Sequence, residues 1–178
     1  MAFAGASYWY AANDNRALWL ATLFLAINWF GDSLDGTLAR VRNRQRPRYG
    51  FYVDHIVDAF GTLLLMTGMG LSGYMSPGIA AALLLAYYLI SINIYLATVA
   101  LGKFRLSFWK FGPTELRVFL AAGNIVLFFH PFAHILGNNY RLFDVGGVTA
   151  LVVLSGILLI SVAQNIRLLY TTDRPKSY

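Results

Sequence analysis

The chain has 178 residues, of which 58% are hydrophobic and only 12% charged, a larger apolar share than one water-soluble domain can bury. A soluble globule is therefore excluded. The net charge of +6 admits nucleic acid or an anionic membrane surface as partner, and the placement of the basic residues, given below, favours the membrane over nucleic acid. With no cysteine, disulfides, thiolate metal sites and cysteine nucleophiles are excluded as well.

Residues 1–12 are apolar and aromatic but span only about 18 Å as a helix, too little to cross a bilayer. They lack the basic stretch and cleavage site of a signal peptide. Two readings stand: a segment lying in the interface, or the last part of a span, with Tyr8, Trp9 and Tyr10 as an interfacial aromatic belt. Five apolar runs follow, at 17–31, 56–74, 79–101, 116–132 and 145–163, each bounded by charge, proline or glycine. No period-2 alternation points to barrel strands, and backbone groups in lipid must be satisfied within each segment. The expected architecture is all-α: a polytopic bundle of five full spans plus the short N-terminal segment, with residues 1–178 forming one membrane domain.

Arg40, Arg42, Arg44, Arg46 and Arg48 fall in the first loop, Lys103, Arg105 and Lys110 in the third, and Arg167, Arg174 and Lys176 in the tail. All three lie on one side, which the positive-inside rule makes cytoplasmic.

Four of the eight acidic residues, Asp32, Asp35, Asp54 and Asp58, cluster at the cytoplasmic ends of the first two spans. A carboxylate inside a bilayer costs about 2.5–3.5 kcal/mol on insertion scales, so four together need cations beside them. Asp32 and Asp35 are three apart and Asp54 and Asp58 four apart, so each pair shares one helix face with Cβ atoms about 5–6 Å apart. Antiparallel neighbouring spans put both pairs at one depth. All-oxygen donors favour Mg²⁺, Mn²⁺ or Ca²⁺, and four mutually repelling carboxylates predict a two-metal site suited to phosphoryl or diphosphate chemistry.

Together these residues read D-x-x-D-G-x-x-A-R, nine residues, then G-x-x-x-D-x-x-x-D, over positions 32–58. This resembles the signature of the CDP-alcohol phosphotransferase family of membrane enzymes, closely over 28–60 and elsewhere only in hydropathy. The resemblance implies that Asp32, Asp35, Asp54 and Asp58 hold two divalent ions, Mg²⁺ or Mn²⁺, across the diphosphate of a CDP-linked donor. It implies that Gly36, Ala39, Arg40 and Gly50 bind the CDP moiety, the small residues leaving room for base and ribose and Arg40 pairing with phosphate. An acceptor hydroxyl would attack the β-phosphorus with CMP leaving, and the resemblance also implies a homodimer through transmembrane helices.

Asp58 is the family's usual candidate base, but Asp54, His55 and Asp58 also match a D-H-x-x-D form of the choline and ethanolamine branch, in which His55 takes that role. This tilts the expected reaction towards transfer from a CDP-alcohol to diacylglycerol, the alternative being phosphatidyl transfer from CDP-diacylglycerol to glycerol phosphate, inositol phosphate or another polar alcohol. Glu115, in the first turn of the fourth span, either serves that helix dipole or orients acceptor or base. Arg105, Lys110 and Arg117 either bind a phosphorylated acceptor or enforce topology. Asn28, one turn before Asp32, either bonds into the pocket or joins helices.

Two departures stand out: the family has six spans where five and a stub are read here, and the spacer between Arg40 and Gly50 is nine residues where eight is commoner. An intramembrane prenyltransferase also uses paired aspartates, but on widely separated helices. A divalent cation transporter would carry its carboxylates near the bilayer midplane on broken helices, not at a helix end.

Overall fold

The computed structural model describes residues 1–41, 46–101, 113–135 and 137–172, with backbone only for 35–40, 47 and 113–115. In chain order its elements are α1 (Ala2–Tyr10), α2 (Ala17–Val41), α3 (Pro47–Leu71), α4 (Pro77–Leu101), α5 (Pro113–Phe129), β1 (Phe132–Ile135), β2 (Asn138–Arg141) and α6 (Leu142–Thr172). Prolines open α3, α4 and α5, where the missing N–H has no intrahelical partner to lose.

Three helical stretches are long and apolar enough to cross a membrane among the described residues: Ala17–Leu34, Pro77–Leu101 and Leu142–Thr172. The expected count of five is therefore not reached on these criteria. At 25 residues α3 has the length but carries Arg48, Asp54 and Asp58, while α5 offers only the shorter apolar stretch Leu116–Phe129. Large apolar side chains such as Val99, Val152 and Leu159 point outwards, as a bundle surrounded by acyl chains requires.

The all-α expectation also needs a correction. The apolar run read as helix to residue 132 stops at Phe129, because Pro131 disfavours helical geometry at the residue before it. Beyond it β1 and β2 pair antiparallel, Phe132 opposite Arg141 and Ile135 opposite Asn138, with Gly137 taking φ +82° in the turn.

Side-chain contacts fix the helix directions. Trp19 meets Phe128 at 5.6 Å between ring centroids, and Asp32 reaches Arg117, so α2 and α5 are antiparallel. On the opposite flank, Tyr88 donates to the Ala59 carbonyl at 3.0 Å, setting α4 antiparallel to α3. The Ser76 N–H and hydroxyl donate to the Asp144 carboxylate at 2.6 and 2.5 Å, and Asn93 donates to Ser161 at 2.7 Å, setting α6 parallel to α4.

The N-terminal segment is a helix packed into the bundle. Helix α1 packs on both α2 and α3, parallel to α3, with Ala4 and Tyr8 wholly buried and Trp9 and Tyr10 exposed. Tyr8 donates its hydroxyl proton to Asn124 Oδ1 at 2.8 Å, Asn124 Nδ2 donates to the Thr22 hydroxyl at 3.0 Å, and Thr22 donates to the Leu18 carbonyl at 2.9 Å. This chain ties α1, α5 and α2 together where an unpaired polar group would be costly. Around it Leu18, Leu25, Leu65, Met69, Leu127 and Phe143 form the core.

Candidate active site

Helices α2 and α5 position the first half of the site and α3 the second. Asp32 lies near the end of α2, its side chain 46% exposed, and forms an ion pair with Nη2 of Arg117, which is only 6% exposed on α5. Asp54 and Asp58 follow one turn apart on α3, Asp54 exposed and Asp58 half-buried. Asp58 lies within electrostatic range of Asp32, Arg117, His55 and Asp54. Asp58 of α3 is thus within electrostatic range of Asp32 of α2, while α1 packs against both of these helices.

His55 is oriented by its own helix. Its Nδ1 lies 2.6 Å from the Phe51 carbonyl, which can only accept, so Nδ1 carries the proton and Nε2 is the basic nitrogen of the neutral ring. The imidazole lies 4.2 Å from the Phe51 ring and 5.2 Å from Tyr95 of α4, centroid to centroid. Tyr95 and Phe51 are site neighbours that sequence reasoning missed. Phe51 carries the signal of an i to i+4 partner of His55, whereas Tyr95 is brought in by the packing of α4 on α3, for which the sequence holds no local mark.

Asp35, Gly36, Ala39 and Arg40 fall on the last turns of α2 and Glu115 on the first turn of α5, but their side chains lie outside the described residues. Arg105 and Lys110 lie outside them altogether. The metal-ligand quartet is therefore represented by three of its four members, and among the described residues no three His, Asp or Glu side chains converge as a metal-binding group. Two observations fit a charged ligand at this end of the bundle. Asn28 Oδ1, one turn from Asp32, and Nε of Arg117 are both buried without a hydrogen-bond partner among the described residues. A donor set of aspartate oxygens suits a hard divalent ion.

Gly50, one turn before Asp54, has nothing among the described residues within 4 Å of where a Cβ would stand. Gly50→Ala should therefore leave the thermal unfolding midpoint within about 1–2 °C, a surface-like change. Weakened binding of CDP to that variant, read by calorimetry, is the expected result if the space beside Gly50 receives the nucleotide. Unchanged CDP affinity would remove Gly50 from the site.

Comparison with known proteins places this arrangement. The family model for CDP-alcohol phosphatidyltransferase matches residues 1–160. A phosphatidylinositol phosphate synthase from Cutibacterium acnes is 40% identical over 60 residues, which is 34% of this chain and 26% of that protein. The chain therefore spans about a quarter of that relative's length in the match. No solved structure matches. With the model covering most of the chain, including every aspartate of the site, this integral membrane protein belongs to the CDP-alcohol phosphatidyltransferase family.

Proposed function

We propose that the protein transfers a substituted phosphate group from a CDP-linked donor to an acceptor hydroxyl, releasing CMP, where Asp32 of α2 meets Asp54 and Asp58 of α3. The observation that supports this reading is Asp32 of α2 paired with buried Arg117 within electrostatic range of Asp58 of α3, at one end of a lipid-facing bundle. In the reaction the acceptor oxygen bonds to the β-phosphorus and the bond from that phosphorus to the CMP oxygen breaks. The acceptor proton passes to a base, Asp58 or the Nε2 of His55.

Asp32, Asp35, Asp54 and Asp58 would hold two divalent ions, Mg²⁺ or Mn²⁺, which when bound neutralise the diphosphate and the departing CMP. Phe51 and Tyr95 hold the His55 ring in place, while the small residues Gly36, Ala39 and Gly50 with Arg40 receive the nucleotide. Arg105, Lys110, Glu115 and Arg117 are the candidates on the acceptor side. We place the site at the cytoplasmic face, with α3 and α5 completing five spans and a second copy of the chain forming a homodimer across transmembrane helices.

CDP-diacylglycerol is the donor we put first, because the relative in Cutibacterium acnes is named for phosphatidylinositol phosphate synthesis. The pairing of Asp54 with His55 supports the second reading, a CDP-alcohol donor with diacylglycerol as acceptor. Protein in nanodiscs, given CDP-diacylglycerol with inositol phosphate or glycerol phosphate, or CDP-choline or CDP-ethanolamine with diacylglycerol, distinguishes them by which pair releases CMP. Release from the CDP-diacylglycerol pairs is expected; release only from CDP-choline or CDP-ethanolamine would reverse the order.

A further inference from the structure

The Arg117 side chain is an unusual neighbour for a metal ligand. It is 5% exposed, its Nη2 holds Asp32 Oδ2, and its buried Nε has no partner among the described residues. Asp32 is its ion-pair partner, and Asp58 lies within electrostatic range. A divalent ion placed on Asp32 would compete for the same oxygen and stand close to a fixed positive charge.

Resting on the metal-site reading above, we propose that Arg117 is a resident counter-ion: it neutralises Asp32 when no metal is bound and must release it when a divalent ion arrives. Arg117 is thus a positioning residue that lowers metal affinity and keeps the metal-free bundle assembled. The single-point contact fits this role. Arg–carboxylate pairs frequently use the fork in two parallel bonds, whereas among the described residues one Nη engages one oxygen and Nε has no partner.

The test is Mn²⁺ alone, titrated into purified protein and followed by the electron paramagnetic resonance of the free ion, with thermal unfolding in chelator and in Mn²⁺ as the second readout. Arg117→Gln is expected to bind Mn²⁺ at least about fivefold more tightly than the unmodified protein, as loss of a nearby like charge requires. It should also unfold at lower temperature in chelator and gain more from Mn²⁺. Arg117→Lys keeps the charge with a shorter reach and should fall between the two; it carries the comparison if the Gln variant does not survive metal-free purification. A merely structural Arg117 would lower stability equally with and without metal. Equal or weaker Mn²⁺ binding by both variants would overturn the proposal while leaving the metal site intact. Absence of Mn²⁺ binding by the unmodified protein would overturn the metal site itself and this role with it.

Discussion

Asp58→Ala is expected to reduce CMP release by about 10³-fold or more while the helical bundle stays assembled. Asp58 is half-buried on α3, within electrostatic range of Asp32, Asp54, Arg117 and His55. Removing its carboxylate withdraws a proposed metal ligand and one of the two candidate bases at once. Asp58 is only half-buried, so truncating its side chain leaves no sealed cavity. Circular dichroism and the unfolding midpoint of the variant should therefore match the unmodified protein. The His55 side chain separates the two base assignments: a base role for the imidazole predicts that His55→Ala loses CMP release to a similar extent, whereas a base role for Asp58 predicts that His55→Ala retains most of it. A rate within tenfold of the unmodified protein for Asp58→Ala would remove Asp58 from the chemistry.

Gly68→Leu is expected to be the most damaging single change to the fold outside the polar site. A Cβ at Gly68 would overlap the backbone carbonyl of Gly5, and a Cβ at Gly5 would overlap the carbonyl of Leu64. Here α1 and α3 approach backbone to backbone, as small residues permit in membrane bundles. Neither carbonyl can rotate away, so α1 must shift, and the Tyr8 to Asn124 hydrogen bond that anchors it is put at risk. The cost should reach or exceed about 3 kcal/mol, the upper part of the range for overpacking a core, and appear as a lower unfolding midpoint in detergent. Gly156→Leu, where nothing stands within 4 Å, is the matched control and should move the midpoint little. Equal effects at the two positions would contradict the close approach of α1 and α3.

Much of this molecule was legible in its sequence because lipid enforces simple rules. The apolar runs found α2, α4 and α6, and the spacing of Asp54 and Asp58 put both on one helix, which begins at Pro47 and so includes Gly50. The aspartate and glycine pattern over 32–58 identified the family, which the family model over 1–160 bears out. What failed depended on contacts between distant segments. Tyr8 resembled a headgroup-level aromatic, yet it is sealed in the core because Asn124, more than a hundred residues away, accepts its proton. Arg117 was weighed as an acceptor ligand or topological charge, and its pairing with Asp32 follows only from the antiparallel packing of α2 and α5. The hairpin of β1 and β2 was hidden because Phe132 extends an apolar run past the proline that ends the helix.

The central claim is that the carboxylates of α2 and α3 hold divalent ions that act on a CDP-linked donor. Its most direct measurement is CMP release by the purified protein in nanodiscs containing CDP-diacylglycerol and a phosphorylated alcohol acceptor, first in chelator and then along a Mn²⁺ titration. CMP that forms only with Mn²⁺ and disappears in Asp58→Ala is the predicted result; release that is indifferent to chelator, or no release with any donor and no metal-dependent binding of CDP, would contradict it.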